Sequence, residues 1–264
     1  MAGGGGASGS GAASGPGAAF GPGAASGSGA ASPPLLLLFD IDGTLVSRAA
    51  AAHSDALHEA LRVVHGVDTR AGRGQISLAG RTDGEIARLL LLGAGVSARA
   101  IDDGAAAVRA ACCEAYARLC PPDLRDKVLP GIVDLLTWLD TRDDVRLSLV
   151  TGNYEPVARL KLTRAGLGRH FAAGQGGFGS DSEDRAALPR IARKRAGAAG
   201  VSHPQRRTIV IGDTPRDIAC ARADELRCLA VTTGPYEASQ LSGADGVAGS
   251  GAELRGLLER ELIG

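Results

Sequence analysis

Aromatic side chains are scarce in this 264-residue chain, at 3%, and charge of either sign is in balance, with Lys+Arg and Asp+Glu each numbering 29. A nucleic-acid partner calls for a basic patch and stacking platforms, so both features argue against one. No acidic or basic tail is present. The apolar run Leu35 to Phe39 spans five residues, far too few to cross a bilayer, and no membrane partner is expected. The cysteines are Cys112, Cys113, Cys120, Cys220 and Cys228, an odd set without a CxxC pair, and no secretory signal accompanies them. Reduced thiols in a cytosol-like compartment follow, with Cys112 and Cys113 as small packing residues of a helical stretch.

Residues 1–32 lack charge altogether and consist almost entirely of Gly, Ala, Ser and Pro. Such a segment cannot bury enough apolar surface to offset its ordering entropy, so the tail, taken as residues 1–34, is expected to be disordered. Transit peptides need arginine and amphipathicity, and this tail has neither, which leaves organellar targeting weakly supported and a cytoplasmic location expected.

What the chain does contain is LLLLFDIDGTL, in which the apolar run stops abruptly at Asp40 and Asp42, followed by Gly43 and Thr44. Five apolar residues between a proline pair and an Asp-Gly turn fit a strand buried on both faces, as in a parallel sheet covered by helices. In an extended chain Asp40 and Asp42 point the same way. Two like charges so close call for neutralisation, and hard carboxylate oxygens suit a divalent cation such as magnesium. Asp42-Gly43 by itself is an ordinary turn after a strand.

From Leu35 onward strands alternate with helices, the pattern of an open parallel α/β sheet with helices on both faces. Strands are expected at Leu35 to Phe39, Arg146 to Val150, Thr208 to Ile211 and Leu226 to Val231, with a weaker one near Val247. Helices are expected at Ile132 to Asp140, Pro156 to Ala165, Arg185 to Ala196, Pro215 to Ala223 and Glu253 to Leu262. Between Leu45 and Pro130 strand signals vanish, and Ala, Leu and Arg helix formers dominate from Ala49 to Leu119. The expected organisation is therefore a core of residues 35–46 and 127–264 interrupted by an all-helical module over residues 47–126. That module would lie over the carboxyl end of the first strand, where ligands bind in such sheets.

Two more strand ends carry chemistry. SLVTGN places Thr151, Gly152 and Asn153 after the second strand, offering a hydroxyl and backbone donors, although Asn153 also serves as an ordinary helix cap. TIVIGDTPRDI places Asp213 at a strand end, Thr214 and Pro215 as helix cap and first residue, and Asp217 in the first turn, where it also complements a helix dipole. Together the three strand ends bring four carboxylates and a hydroxyl to one mouth, a constellation suited to metal-assisted phosphoryl chemistry.

On these motifs, with PGIVDLLTWL before the second strand and AGLGRHF after the next helix, residues 35–264 resemble the haloacid dehalogenase superfamily of hydrolases. The helical module resembles a cap of the phosphoglycolate phosphatase-like kind. The resemblance implies a Rossmann-like core in which Asp40 is the nucleophile, forming an aspartyl-phosphate, and Asp42 is general acid and then base. It further implies that Thr151, with Gly152 and Asn153, orients the phosphate, and that Mg2+ is held by Asp40, the Asp42 carbonyl, Asp213 and Asp217. The substrate would be a small phosphorylated metabolite, and the oligomeric state is not legible.

One departure stands out. The Lys-Pro-x-Pro segment usual in that family is missing, and three cations compete for the role of steadying the nucleophile and phosphoryl group: Arg185 first, then Lys161, then Lys194. Each is otherwise a residue of a solvated helix face. In LAGRTDGEIARLL, Arg81 is expected either to bind a substrate anion in a forked pair or to pair with Asp83. His53, His58, His65, His170 and His203 show no metal-ligand spacing and are expected at the surface. The expected function is a magnesium-dependent phosphatase. A phosphomutase is its enzymatic rival, and a catalytically silent phospho-ligand or protein-binding module on the same fold is the rival from another class.

Overall fold

Leu35–Phe39 (β1) is apolar at every position because both of its faces are covered. Leu35, Leu37 and Phe39 enter one core with Ile132–Asp140 (α4), Glu155–Arg164 (α5) and Gly251–Ile263 (α8), while Leu36 and Leu38 enter a second with Leu188–Ala196 (α6) and Pro215–Ala223 (α7). The alternation of strand side chains divides the run between the two layers. Val145–Thr151 (β2), Gly177–Phe178 (β3), Thr208–Gly212 (β4), Arg227–Val231 (β5) and Gly246–Ala248 (β6) complete a six-stranded parallel sheet in the order β3-β2-β1-β4-β5-β6. β1 lies in the interior, with Leu36 in register with Arg146 on one side and Thr208 on the other.

The structure is a computed structural model that describes residue 3 and residues 32–47, 51–70 and 78–263. Residues 33–264 form one compact unit. The expected disorder of the N-terminal tail falls almost wholly outside the described residues; at its end the carbonyl of Pro33 accepts a hydrogen bond from Arg207 Nε at 3.2 Å. Between β1 and β2 the described elements are helical, as the sequence implied: Ala51–His65 (α1), Asp83–Gly93 (α2) and Ala98–Leu119 (α3) precede α4. Their inner faces carry Leu57, Leu61, Leu90 and Tyr116 into the first core. Thr82 and Ser97 cap α2 and α3 through their hydroxyls. Among the described residues no helix is long and apolar enough to cross a membrane.

Two elements differ from expectation. The helix expected from Arg185 begins as a single 3-10 turn, Arg185–Ala187, capped by the Asp184 side chain, and becomes α-helical only at Leu188. The two-residue β3 was not expected, because a strand that short, set among Gly174, Gly176, Gly177 and Gly179, has no period to read. The surface placement of the histidines is also corrected: His58, His170 and His203 are buried. His58 bonds Thr69 Oγ1 at 2.6 Å, His170 pairs with Asp140 at 2.7 Å and His203 lies 3.1 Å from the Arg207 carbonyl. Each has a polar partner that a lone histidine in sequence does not reveal.

Candidate active site

Because β1, β2 and β4 are parallel neighbours, the turns at their carboxyl ends meet at one edge of the sheet. Asp40 follows β1 directly, with its backbone N–H donating to the Ile211 carbonyl of β4 at 2.8 Å. Asp213 follows β4, and Asp217 lies in the first turn of α7. Asp40 is nearly and Asp213 and Asp217 wholly buried, and each offers a carboxylate oxygen within 4.8 Å of the others. Gly212 and Gly234 make room for this cluster. A Cβ on Gly212 would lie 2.5 Å from Asp217 Oδ2, and one on Gly234 would lie 1.7 Å from Asp213 Oδ2. Burial, reinforced by Asp217 and Asp42 and opposed by Arg185, pushes the Asp40 carboxyl up to about 6.

Arg185 and Lys161 each pair with a different part of the carboxylate cluster. Arg185 Nη2 lies 3.3 Å from Asp40 Oδ1 and donates to Asp217 Oδ1, whose other oxygen accepts from Thr214 N and Oγ1. Arg185 Nε is buried without an acceptor among the described residues. Lys161, 1% exposed, sends its Nζ to both oxygens of Asp42 at 2.7 Å and to Asn153 Oδ1 at 2.8 Å. Asn153 Nδ2 in turn donates to Asp42 Oδ2 at 3.0 Å. Burial works to raise the Asp42 carboxyl, but the charges of Lys161 and His53 and the hydrogen bonds of Lys161 and Asn153 outweigh it, and the pKa is lowered. Lys194, the third cation considered, is exposed near the end of α6, away from these groups.

A cavity of about 190 Å³ lies over the cluster, walled by Asp40, Asp42, Gly152, Asn153 and Arg185 below and by His53 and Arg81 above. Thr151 is wholly buried behind this wall; its Oγ1 accepts from Asn153 N at 3.4 Å. Arg81 is ion-paired with Glu85 one turn along α2. Asp83, the partner considered for it, lies 3.1 Å from His53 Nε2 and accepts from Tyr154 N at 2.8 Å. The helical segment comes down hard on the β2 loop at Gly152, where a Cβ would lie 2.1 Å from the Arg81 carbonyl.

Three buried carboxylates with one guanidinium among them leave an excess of negative charge, and their hard oxygens form a donor set suited to a divalent cation. The side chain of Asp42 lies outside that trio, engaged by Lys161, so of the expected ligands it would contribute only its backbone carbonyl.

Residues 37–222, most of the chain and all of the strand ends just described, match the family of haloacid dehalogenase-like hydrolases. The chain belongs to this family. Phosphoglycolate phosphatase 1 of Pseudomonas aeruginosa is 30% identical over 209 residues, covering 76% of this chain and 70% of that protein. Among solved structures, a predicted phosphatase from Clostridium acetobutylicum superposes with a TM-score of 0.63 at 19% identity, covering 87% of this chain and 100% of the other. A β-phosphoglucomutase from Clostridium difficile gives 0.60 at 18% identity over 86% and 96% of the two chains. At those identities the two structures testify to the fold.

For a haloacid dehalogenase-like hydrolase, three of the site's neighbours were missed in the sequence: His53, Asp83 and the Tyr154 amide. Only Asp83 carried a signal, as the residue after the helix cap Thr82 in GRTD, and that signal pointed to Arg81 as its partner.

Proposed function

We propose that the chain is a magnesium-dependent phosphatase that hydrolyses a small phosphorylated metabolite through an aspartyl-phosphate on Asp40. The observation that carries the reading is the buried trio Asp40, Asp213 and Asp217 with Arg185 against the nucleophile. The curated phosphoglycolate phosphatase relative supports a small phosphomonoester. Bound magnesium, held by the trio and the Asp42 carbonyl, would supply charge neutralisation for the carboxylates and the incoming phosphate.

In the first half-reaction an Asp40 carboxylate oxygen attacks phosphorus, and the phosphorus–oxygen bond to the leaving group breaks. The leaving oxygen takes the proton of Asp42. In the second, Asp42 withdraws a proton from water, whose oxygen attacks the aspartyl-phosphate and regenerates Asp40 with release of phosphate. Arg185, beside Asp40 on the cavity wall, meets charge developing on the phosphoryl oxygens. Lys161 and Asn153 favour the ionised Asp42 that takes the proton from water in the second half-reaction, and the proton that Asp42 gives in the first must be taken up from solvent against that preference. Gly152 and Asn153 orient the phosphate, with the Thr151 hydroxyl behind them on Asn153 N, and Arg81 meets the remainder of the substrate.

Phosphate release from p-nitrophenyl phosphate and a panel of phosphorylated metabolites, with magnesium and with EDTA, tests the reading. Magnesium-dependent release absent from Asp40→Asn is expected. Transfer of the phosphoryl group to a second substrate hydroxyl without net release identifies a phosphomutase instead, and an inert protein overturns both.

A further inference from the structure

Asn153 is bracketed by a single residue from the helical segment. The backbone N–H of Asp83 donates to the carbonyl of Gly152 at 2.8 Å, and the Asp83 carboxylate accepts from the N–H of Tyr154 at 2.8 Å. The two groups are the backbone neighbours of Asn153 on either side, so one residue fixes the local backbone from which the Asn153 side chain extends. That side chain is divided between the two members of the buried pair, with Nδ2 on Asp42 and Oδ1 taking Lys161 Nζ. Asp83 opens the helix that Thr82 caps, its Oδ2 lies 3.1 Å from His53 Nε2, and it is 3% exposed. His53 is stacked edge-on against Tyr116 of α3, so the carboxylate is tied to all three helices of the segment.

We propose that Asp83 is the positioning residue for Asp42, acting through Asn153, so that the acid–base carboxylate is correctly placed only when the helical segment is docked on the β2 loop. The proposal rests on the phosphatase reading for the role of Asp42, but its geometry stands apart from turnover. A carboxylate that must both give and take a proton needs to be held within hydrogen-bond reach of the leaving oxygen and the water. Gly152 permits the close approach that brings Asp83 to the loop, since any side chain there would strike the Arg81 carbonyl.

The test is a double-mutant cycle between Asp83→Ala and Asp42→Asn, read as p-nitrophenyl phosphate turnover with melting temperatures measured in parallel. Groups acting as one unit lose function non-additively. Asp83→Ala is expected to slow steady-state turnover about tenfold or more when Asp42 is present, and to add less than about threefold to the loss in Asp42→Asn. Asp83→Asn, which keeps an acceptor for Tyr154 N–H, should recover most of the rate. Equal losses in both backgrounds, or no recovery by Asp83→Asn, would show a merely structural residue and overturn the proposal. A second measurement does not depend on turnover. In the side-chain amide region of a 15N spectrum, the Asn153 Nδ2 resonance should move and exchange faster in Asp83→Ala than in the wild type, while that of Gln240, far from the site, stays in place. An unmoved Asn153 resonance overturns the proposal even if the phosphatase reading holds; a moved one supports the link from Asp83 to Asn153 even if no substrate is turned over, and a moved one with equal losses in both backgrounds overturns the proposal.

Discussion

Lys161 Nζ lies 2.7 Å from both oxygens of Asp42, making the ion pair symmetrical and almost wholly enclosed on the lysine side. The pair joins α5 to the turn after β1, and Asn153 closes it into a triangle. A buried ammonium is tolerated only where charge and hydrogen bonds are both returned to it, and here three oxygens do so.

Replacing Lys161 by methionine leaves Asp42 without its cation. The folded-state pKa of Asp42 is depressed, so its stabilising contribution is fully present above the unfolded value of 3.8 and fades as pH falls through the lower folded value. Lys161→Met should lose on the order of 2 kcal/mol at pH 7, less than for a fully buried pair because Asp42 is part-exposed. The deficit should shrink below about pH 4. Urea unfolding at pH 7 and pH 3.5 measures both; a deficit independent of pH would refute the charge argument.

Asp40 runs in the opposite direction. Its folded pKa, about 6, exceeds 3.8, so in the metal-free protein its ionisation erodes stability as pH rises from 3.8 through about 6. Metal-free Asp40→Asn should therefore exceed the wild type at pH 7.5 by on the order of 2 kcal/mol and match it near pH 4. Magnesium should raise the wild-type melting temperature at pH 7.5, with the rise vanishing towards pH 5 as protons compete for Asp40. Differential scanning fluorimetry across that range decides the matter, and turnover of Asp40→Asn should be at least about a thousandfold down.

Arg185→Ala removes the cation 3.3 Å from Asp40, the proposed nucleophile, and a loss of roughly a hundredfold or more in kcat is expected, the scale of one preorganised donor. Lys161→Ala should cost less in kcat, since it touches Asp42 and leaves Arg185 beside Asp40 in place. Steady-state rates at saturating magnesium compare them. A near-normal Arg185→Ala beside a crippled Lys161→Ala would reverse their roles.

Gly152→Ala tests the docking of the helical segment by steric means alone. The new methyl group would sit 2.1 Å from the Arg81 carbonyl, so backbone must move. A loss of about 1–3 kcal/mol, typical of overpacking, and a fall in kcat/KM are expected together. Thermal melts and kinetics at one pH suffice, and an unperturbed variant would show that the loop and helix do not meet in solution.

The strand ends were legible because each closes an uninterrupted apolar run. Leu35 to Phe39 and Thr208 to Ile211 announce buried strands, and the first charged residue after each marks the edge of the sheet. Arg185 was legible for a related reason, as a cation opening the segment that leads back towards β4. Asp42 and Lys161 are 119 residues apart, and nothing local in ARLKLTRAGL distinguishes a lysine turned inward from its solvated neighbours. The histidines failed on the same ground: His53 enters the cavity because Asp83, 30 residues on, is placed to receive it. Pairings made by tertiary folding between polar residues leave no period in the sequence, whereas burial of strands and helices does.

Among the described strands, β1 is the first made and the one most dependent on what comes later. Leu36 finds its two partners at Arg146 and Thr208, so the strand bearing Asp40 gains both neighbours only after most of the chain exists. Closing loops of that size costs entropy before any sheet contact returns it, which places this protein among slow-folding topologies. During synthesis the helical segment emerges whole before either partner strand. The apolar LLLLF run therefore waits longest with exposed edges, the state in which an unpaired apolar strand is most open to pairing with another chain.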